Sequence, residues 1–412
     1  MDANGSADTA GPPPEAPRRR LLAIPDFRNL WVVGLMVFVV RWLEMLAVGV
    51  FTYQATGSAF MVAMLTMLRL LPMGLFGAVL GAVAERLERR SALIFVVLAM
   101  MATSISVAVL GSLGMLEVWH LAVASFVNGL GWATDNPVRR MMIGDAVGAD
   151  RMGPAMSLDV GTNNASRMVG PTIGGLILAT LGIAGVFWLG AGLYAVALVA
   201  ALRIRTRSRT AAVEASSVLQ RMREGFVQAR NDPRITGVLM VTVIFNIFGW
   251  PSTSMIPVLG KDHLQLGPEG VGILASLDGV GAFCGALAIA TLAQAVWYGR
   301  IYVSGVTFYL VSLIVFAAAP SVVMAGMALL TLGIAGAGFS VMQATLVYLY
   351  APIEMRARLL GLLSVCIGVG PVGFFYLGFL AELLGAQSAT IALAVQGLLA
   401  LLLTRRWWRA IG

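Results

Sequence analysis

Five charged side chains stand deep inside apolar stretches of this 412-residue sequence: Arg41, Glu44, Arg69, Arg167 and Asp278. A charge near the centre of a bilayer costs at least about 2.5–3.5 kcal/mol, so it faces a cavity or a partner. Guanidinium stays protonated in proteins and offers five N–H donors, which suits it to holding an anion. A carboxyl group there can carry a proton, because desolvation favours its neutral form and a nearby arginine favours its charged form. Glu44 follows Arg41 by three residues, on one helical face. Asp278 has no partner close in sequence and ranks first as a proton carrier, with Glu44 second. Two outcomes are open for Arg41, Arg69 and Arg167. They serve as counter-charges for an acidic or phenolic molecule, or they are locked in structural pairs such as Arg41–Glu44. Asn128, Trp132, Asn246, Trp250 and Gln343, with Tyr348, are further candidates for a cavity wall. The run Asn246-Ile-Phe-Gly249-Trp250-Pro251 predicts a broken helix where an aromatic ring meets substrate.

Other chemistry finds little support. An intramembrane enzyme needs a nucleophile–base pair, and the two histidines, His120 and His263, fall at a helix end and in a loop. No GxxxxGK[ST] loop for an ATP-driven pump is present. Cys284 and Cys366 lie in apolar runs and read as small core residues. No metal and no cofactor is expected.

These residues must be positioned by membrane helices. Of the chain, 59% is hydrophobic and 12% charged, against about half and a quarter in soluble domains. Twelve stretches have the roughly 20 apolar residues that a span needs: 28–52, 59–82, 91–111, 117–137, 156–180, 184–202, 234–258, 270–293, 301–319, 321–349, 358–384 and 387–404. The expected division is a disordered cytoplasmic tail (1–26), a six-helix bundle (27–203), a cytoplasmic linker (204–233) with an amphipathic helix near 217–230, a second six-helix bundle (234–405) and a short tail (406–412). Alternating the faces from an inside N-terminus leaves Lys261 as the one outside cation and gathers nearly all arginines inside. The net charge of +8 thus reads as orientation beside anionic lipid, and no nucleic-acid partner is expected. Both termini are cytoplasmic on this reading, in a bacterial inner membrane. Trp407 and Trp408, among Arg405, Arg406 and Arg409, form an interfacial anchor.

The halves echo each other. Span five holds Gly170-Pro171 followed by Gly174 and Gly175; span eleven holds Gly370-Pro371 followed by Gly373. Small-residue stripes recur in span two (Gly74, Gly77, Gly81) and span eight (Gly281, Gly285, Ala286). Such residues let helices approach closely and the prolines bend them; their expected role is packing. Duplicated halves around a cavity mark transporters.

The loop after span two runs Gly81, Glu85, Arg86, Glu88, Arg89, Arg90. This resembles the cytoplasmic signature of the major facilitator superfamily, with Glu85 where aspartate is usual. The Gly170-Pro171 motif is similar to that of its antiporter branches. Asp135-Asn136-Pro137-Val138-Arg139 and the stretch 150–175 resemble the efflux branch that includes enterobactin and macrolide exporters. The resemblance implies an all-α membrane fold of twelve transmembrane helices in two pseudo-symmetric six-helix bundles. It implies a cytoplasmic gate in which Glu85 meets Arg356 and Arg358 and Arg89 reaches Asp135, with Gly81, Arg86, Arg90, Arg139 and Asp159 alongside. In this superfamily spans one, two, five and eight border the cavity, and those are the spans that carry the deep charges. The basic residue many proton antiporters carry in span four is absent, with Asn128 near its place. The leading expectation is a monomeric secondary transporter of small amphipathic or anionic molecules, exporting in exchange for protons. An importer or facilitator of the same fold, and a sensor or chaperone on this scaffold, are the alternatives.

Overall fold

A computed structural model describes residues 21–86, 88–205 and 218–411, excepting the side chains of 76–86, 149, 218–224 and 357. Among the described residues all regular structure is helical. Span one is Pro25–Thr56, span two Ala59–Arg86, span three Arg89–Ser112 and span four Val118–Val147. Spans five and six form one 51-residue run, Met152–Leu202, interrupted at Gly182. Its φ of 68° is the left-handed conformation that glycine adopts without steric cost, and the chain doubles back there. Span seven is Pro233–Asp262, span eight Pro268–Leu292, span nine Tyr298–Ala318 and span ten Val322–Tyr350. Span eleven is Arg358–Leu384 and span twelve Ala386–Leu403. Nine stretches among the described residues are long and apolar enough to cross a bilayer, Met152–Leu202 being long enough for two. The described side chains of span two end at Leu75, and Ala59–Leu75 is an apolar stretch whose one charge is Arg69; span four is the polar helix that carries Asn128, Asp135 and Arg139.

Local chemistry sets the ends. Pro25 and Pro268 occupy first-turn positions, where a missing N–H costs nothing. Helix one thus begins at Pro25, inside the stretch expected to be tail, and a short helical turn, Leu21–Ala23, precedes it. Asp232 caps span seven by accepting the Arg234 N–H at 2.9 Å. His120 accepts the Glu117 N–H at 3.0 Å through Nδ1, and His263 bonds the Ala319 carbonyl at 2.9 Å, so both histidines do structural tasks. The linker helix is Val218–Asn231; the linker stretch 206–217 and the first 20 residues of the expected tail lie outside the described residues.

Large apolar side chains such as Phe95, Leu181, Phe308 and Val323 point outward, as lipid-facing surface does. Inside, small residues set the helix contacts, and the two halves use them alike. Gly170 and Gly174 press on Trp42 and Leu43 of span one; Gly370 and Gly373 press on Trp250 and Ile247 of span seven. Gly175 meets Pro268 and Gly272 of span eight, while Gly378 meets Phe60 and Ala63 of span two. Gly129 of span four sits on the Arg69 carbonyl, and Gly333 of span ten sits on the Asp278 carbonyl. Arg69 and Asp278 are therefore counterparts in the two halves.

Candidate substrate cavity

Span seven is the least regular helix. Its α-helical start, Pro233–Ile244, widens to a π-turn over Phe245–Gly249 and tightens to a 3-10 turn over Trp250–Met255. Pro251 has no N–H to give to the ladder, and such breaks are frequent at functional sites. The break turns Asn246 and Trp250 toward a central cavity of about 320 Å³.

Of the residues singled out by sequence, Arg41, Arg69, Trp132, Arg167, Asn246, Trp250, Asp278 and Gln343 line this cavity. The local Arg41–Glu44 pair does not form. Arg41 lays its guanidinium over the Trp132 ring, 4.5 Å from the ring centre, and is 5.3 Å from that of Phe38. Its Nη2 has no hydrogen-bond partner. Glu44 is fully buried outside the cavity lining. It accepts hydrogen bonds from Ser104 at 2.5 Å and from Asn128 at 3.2 Å, so Asn128 too stands behind the wall. Helical spacing puts Arg41 and Glu44 on one face, but cation–π contact and two neutral donors from spans three and four satisfy them separately. Arg69 is only 5% exposed; Glu44 is an opposite charge nearby, but no carboxylate lies within ion-pair distance of Arg69 among the described residues, and its Nε has no partner.

Arg167 and Asp278 meet in an ion pair that joins span five to span eight, across the halves. Arg167 also lies 5.4 Å from the Trp42 ring centre. One Asp278 oxygen, Oδ1, is buried without a partner. One turn away Thr172 donates to Ser276 through its backbone N–H at 3.1 Å, and the two hydroxyls are 2.7 Å apart.

The remaining walls are aromatic. Phe245 stacks on Phe339 at 3.7 Å between ring centres and meets Tyr309 edge-on at 4.7 Å. Trp42 and Phe374 also line the cavity. Sequence reasoning passes over these rings, since a lone aromatic in an apolar span reads as core. Tyr309 belongs to span nine, which is not among the spans that the family resemblance sets beside the cavity. Tyr348 is half exposed, does not line the cavity and stacks under Arg356 at 4.0 Å.

The gate residues fall out differently from the expectation. Arg89 pairs with Asp145 at 2.6 Å. Asp135 instead holds Arg139, one helical turn along, at 3.3 Å. Asp135 lies ten residues deeper than Asp145, roughly 15 Å along a helix, beyond the start of span three. Arg139 is fully buried; it also binds Asp159 and lies 4.8 Å from the Phe38 ring centre. Arg140 approaches Asp159 at 3.5 Å. Arg90 donates to the Leu202 carbonyl at 2.8 Å, and Arg358 points at the Met355 sulfur at 3.3 Å. The side chains of Gly81, Glu85 and Arg86 lie outside the described residues, so the expected Glu85 contacts with Arg356 and Arg358 do too.

At the opposite, arginine-poor end the halves close on each other. Tyr53 of span one donates to Asp262 of span seven, and Lys261 stands 5.2 Å from the Tyr53 ring centre. Gly49 faces Pro257, and Gly175 faces Pro268. Near mid-span Gly74 approaches the Gly368 carbonyl.

A cavity between two like halves, polar at a few points and walled with rings, has the size and lining to enclose a small molecule. Residues 19–408 match the model of a family described as transmembrane secretion effector. The chain is 26% identical over 363 residues to a multidrug efflux pump, Tap, of Mycolicibacterium fortuitum, covering 84% of this chain and 87% of that one. It is 20% identical over 251 residues to macrolide efflux protein A of Streptococcus pyogenes, covering 60% of this chain and 62% of the relative. In structure it resembles a peptide-binding POT family transporter (TM-score 0.76, 12% identity, 93% and 96% of the two chains). It also resembles an inward-facing, unoccupied bacterial homologue of the lysosomal transporter Spinster (TM-score 0.74, 14% identity, 93% and 96%). The deep charges, the duplicated glycine seams and the central cavity are thus those of a multi-pass membrane transporter and not of an enzyme, and the chain belongs to the transmembrane secretion effector family of the major facilitator superfamily.

Proposed function

We propose that this transporter exports a small amphipathic anion by alternating access, in exchange for protons. The observation that carries the reading is the pair of buried guanidiniums, Arg41 and Arg69, each 5% exposed and without a carboxylate partner among the described residues, in an aromatic-walled cavity. They supply charge-assisted donors, and the rings supply apolar contact, so an aromatic or phenolic acid matches both. The efflux pumps among the relatives support the outward direction.

Asp278 is the coupling residue on this reading. Its ion pair with Arg167 ties span five to span eight, and protonation removes the charge that holds them. A bias of a few kcal/mol suffices to shift a two-state equilibrium. Closure at the arginine-poor end supports an inward-facing state, with both termini in the cytoplasm of a bacterium. Residues 27–203 and 234–405 are then the two moving units, 204–233 their linker, and one chain the working unit.

Proteoliposomes with an imposed pH gradient test this. The wild type is expected to accumulate a fluorescent aromatic carboxylate and to leave a cationic dye of similar size behind. Preferential movement of the cation would sink the anion reading; equal uptake with and without the gradient would sink proton coupling.

A further inference from the structure

We infer that a second groove, at the arginine-rich end of the first six helices, is a binding site for an anionic phospholipid. This groove has a volume of about 1400 Å³ and shares no residue with the central cavity. The beginnings of spans one and three and the ends of spans four and six build it. Arg28, Arg90, Arg203 and Arg205 stand around it. Its two carboxylates are already engaged: Asp26 accepts the Arg205 backbone N–H at 3.1 Å, and Asp145 pairs with Arg89. Arg90 uses one Nη on the Leu202 carbonyl, and its buried Nε has no partner. The guanidiniums of Arg28 and Arg203 are exposed and have no hydrogen bond or ion pair among the described residues.

The other wall is apolar. Val196, Val199 and Leu202, each about half exposed, form the outward face of span six, the face that meets lipid tails. The groove therefore presents cations at the membrane edge and hydrocarbon toward the membrane interior, the polarity of a phospholipid. A monoanionic phosphodiester headgroup fits among the arginines, with acyl chains along the valines. A free phosphate leaves the apolar wall bare. The neighbouring linker segment, with Arg207 and Arg209 against Glu214, has the wrong sign of charge for this rim.

The test uses purified full-length protein in a neutral detergent, with bound lipid counted by native mass spectrometry. The probes are dioleoyl phosphatidylglycerol, dioleoyl phosphatidylcholine and glycerol-3-phosphate. Wild type is expected to bind one phosphatidylglycerol in preference to phosphatidylcholine. Arg28→Gln with Arg203→Gln weakens that first site, roughly fivefold for each arginine, and Arg28→Lys with Arg203→Lys retains the preference. Arg405→Gln with Arg406→Gln, which removes the same charge elsewhere, leaves it unchanged. If the double glutamine variant does not fold, Arg203→Gln alone is expected to show the single fivefold step. Unaltered phosphatidylglycerol affinity in the Arg28 and Arg203 variants overturns the site. So does an equal loss in the Arg405 and Arg406 variant, or glycerol-3-phosphate displacing the lipid at matched concentration.

Discussion

Arg41 and Glu44 show how little a side chain's sequence neighbour decides. Their spacing predicts an ion pair, yet Arg41 stacks on Trp132 while Glu44 takes its donors from Ser104 and Asn128. The two residues therefore answer to different tests. Arg41→Gln and Arg69→Gln are each expected to weaken binding of an aromatic carboxylate about tenfold or more, the scale of a hydrogen bond to a charged group, as read by isothermal titration. Glu44→Ala leaves the Ser104 and Asn128 donors buried without their acceptor. It is expected to lower stability by about 1–3 kcal/mol in a thermal melt while substrate affinity stays at the wild-type value. Asp278→Asn strands Arg167 and is expected to abolish the dependence of transport on the pH gradient. Arg167→Gln with Asp278→Asn removes both charges and restores the melting temperature but not the coupling, because removing one partner of a buried pair costs more than removing both. Stability unrestored in the double variant would show that the pair is not the source of the loss.

Helices in this chain meet where glycine allows it, and the glycine positions repeat between the halves. Gly170 and Gly174 against span one have their match in Gly370 and Gly373 against span seven. This duplication is legible in the sequence because the Gly-Pro pairs are distinctive; which helix each glycine touches is not, since contact depends on how the bundle is assembled. Among the described residues, the closest glycine contacts between the two halves lie in the seam between spans five and eight. A Cβ on Gly175 meets the Pro268 carbonyl and the Gly272 Cα. Gly175→Val is thus expected to force spans five and eight apart at the arginine-poor end. Distances between spin labels on the ends of spans five and eight check it, and an unchanged distance distribution would show that the seam does not set the closure. Span seven offers the second test. Pro251→Ala returns an N–H to the ladder and is expected to straighten the break, swing Trp250 out of the cavity and slow transport with little loss of melting temperature.

On the scale of the molecule, closure is gathered at one end, where Tyr53 reaches Asp262 and Gly49 packs on Pro257. Tyr53→Phe removes the hydroxyl that joins spans one and seven and is expected to increase labelling of a cysteine introduced at position 49 or 257 by a membrane-impermeant thiol reagent. Labelling equal to that of the parent that retains Tyr53 would place the closure elsewhere. Much of this architecture is written in the sequence. The apolar runs set the helices because a backbone in lipid must satisfy its own hydrogen bonds. Four of the five deep charges, all but Glu44, line the cavity, as the cost of burying a charge without a purpose leads one to expect. What the sequence leaves open is partner choice. Arg167 finds Asp278 from the other half, Arg89 takes Asp145 and not Asp135, and the rings of Phe245, Tyr309 and Phe339 gather from three helices into one wall. The physical reason lies in range. Hydropathy and backbone geometry act along the chain and can be read residue by residue. Ion pairs and ring stacks act over a few ångströms between segments far apart in the chain, and only the packed helices decide which of them meet.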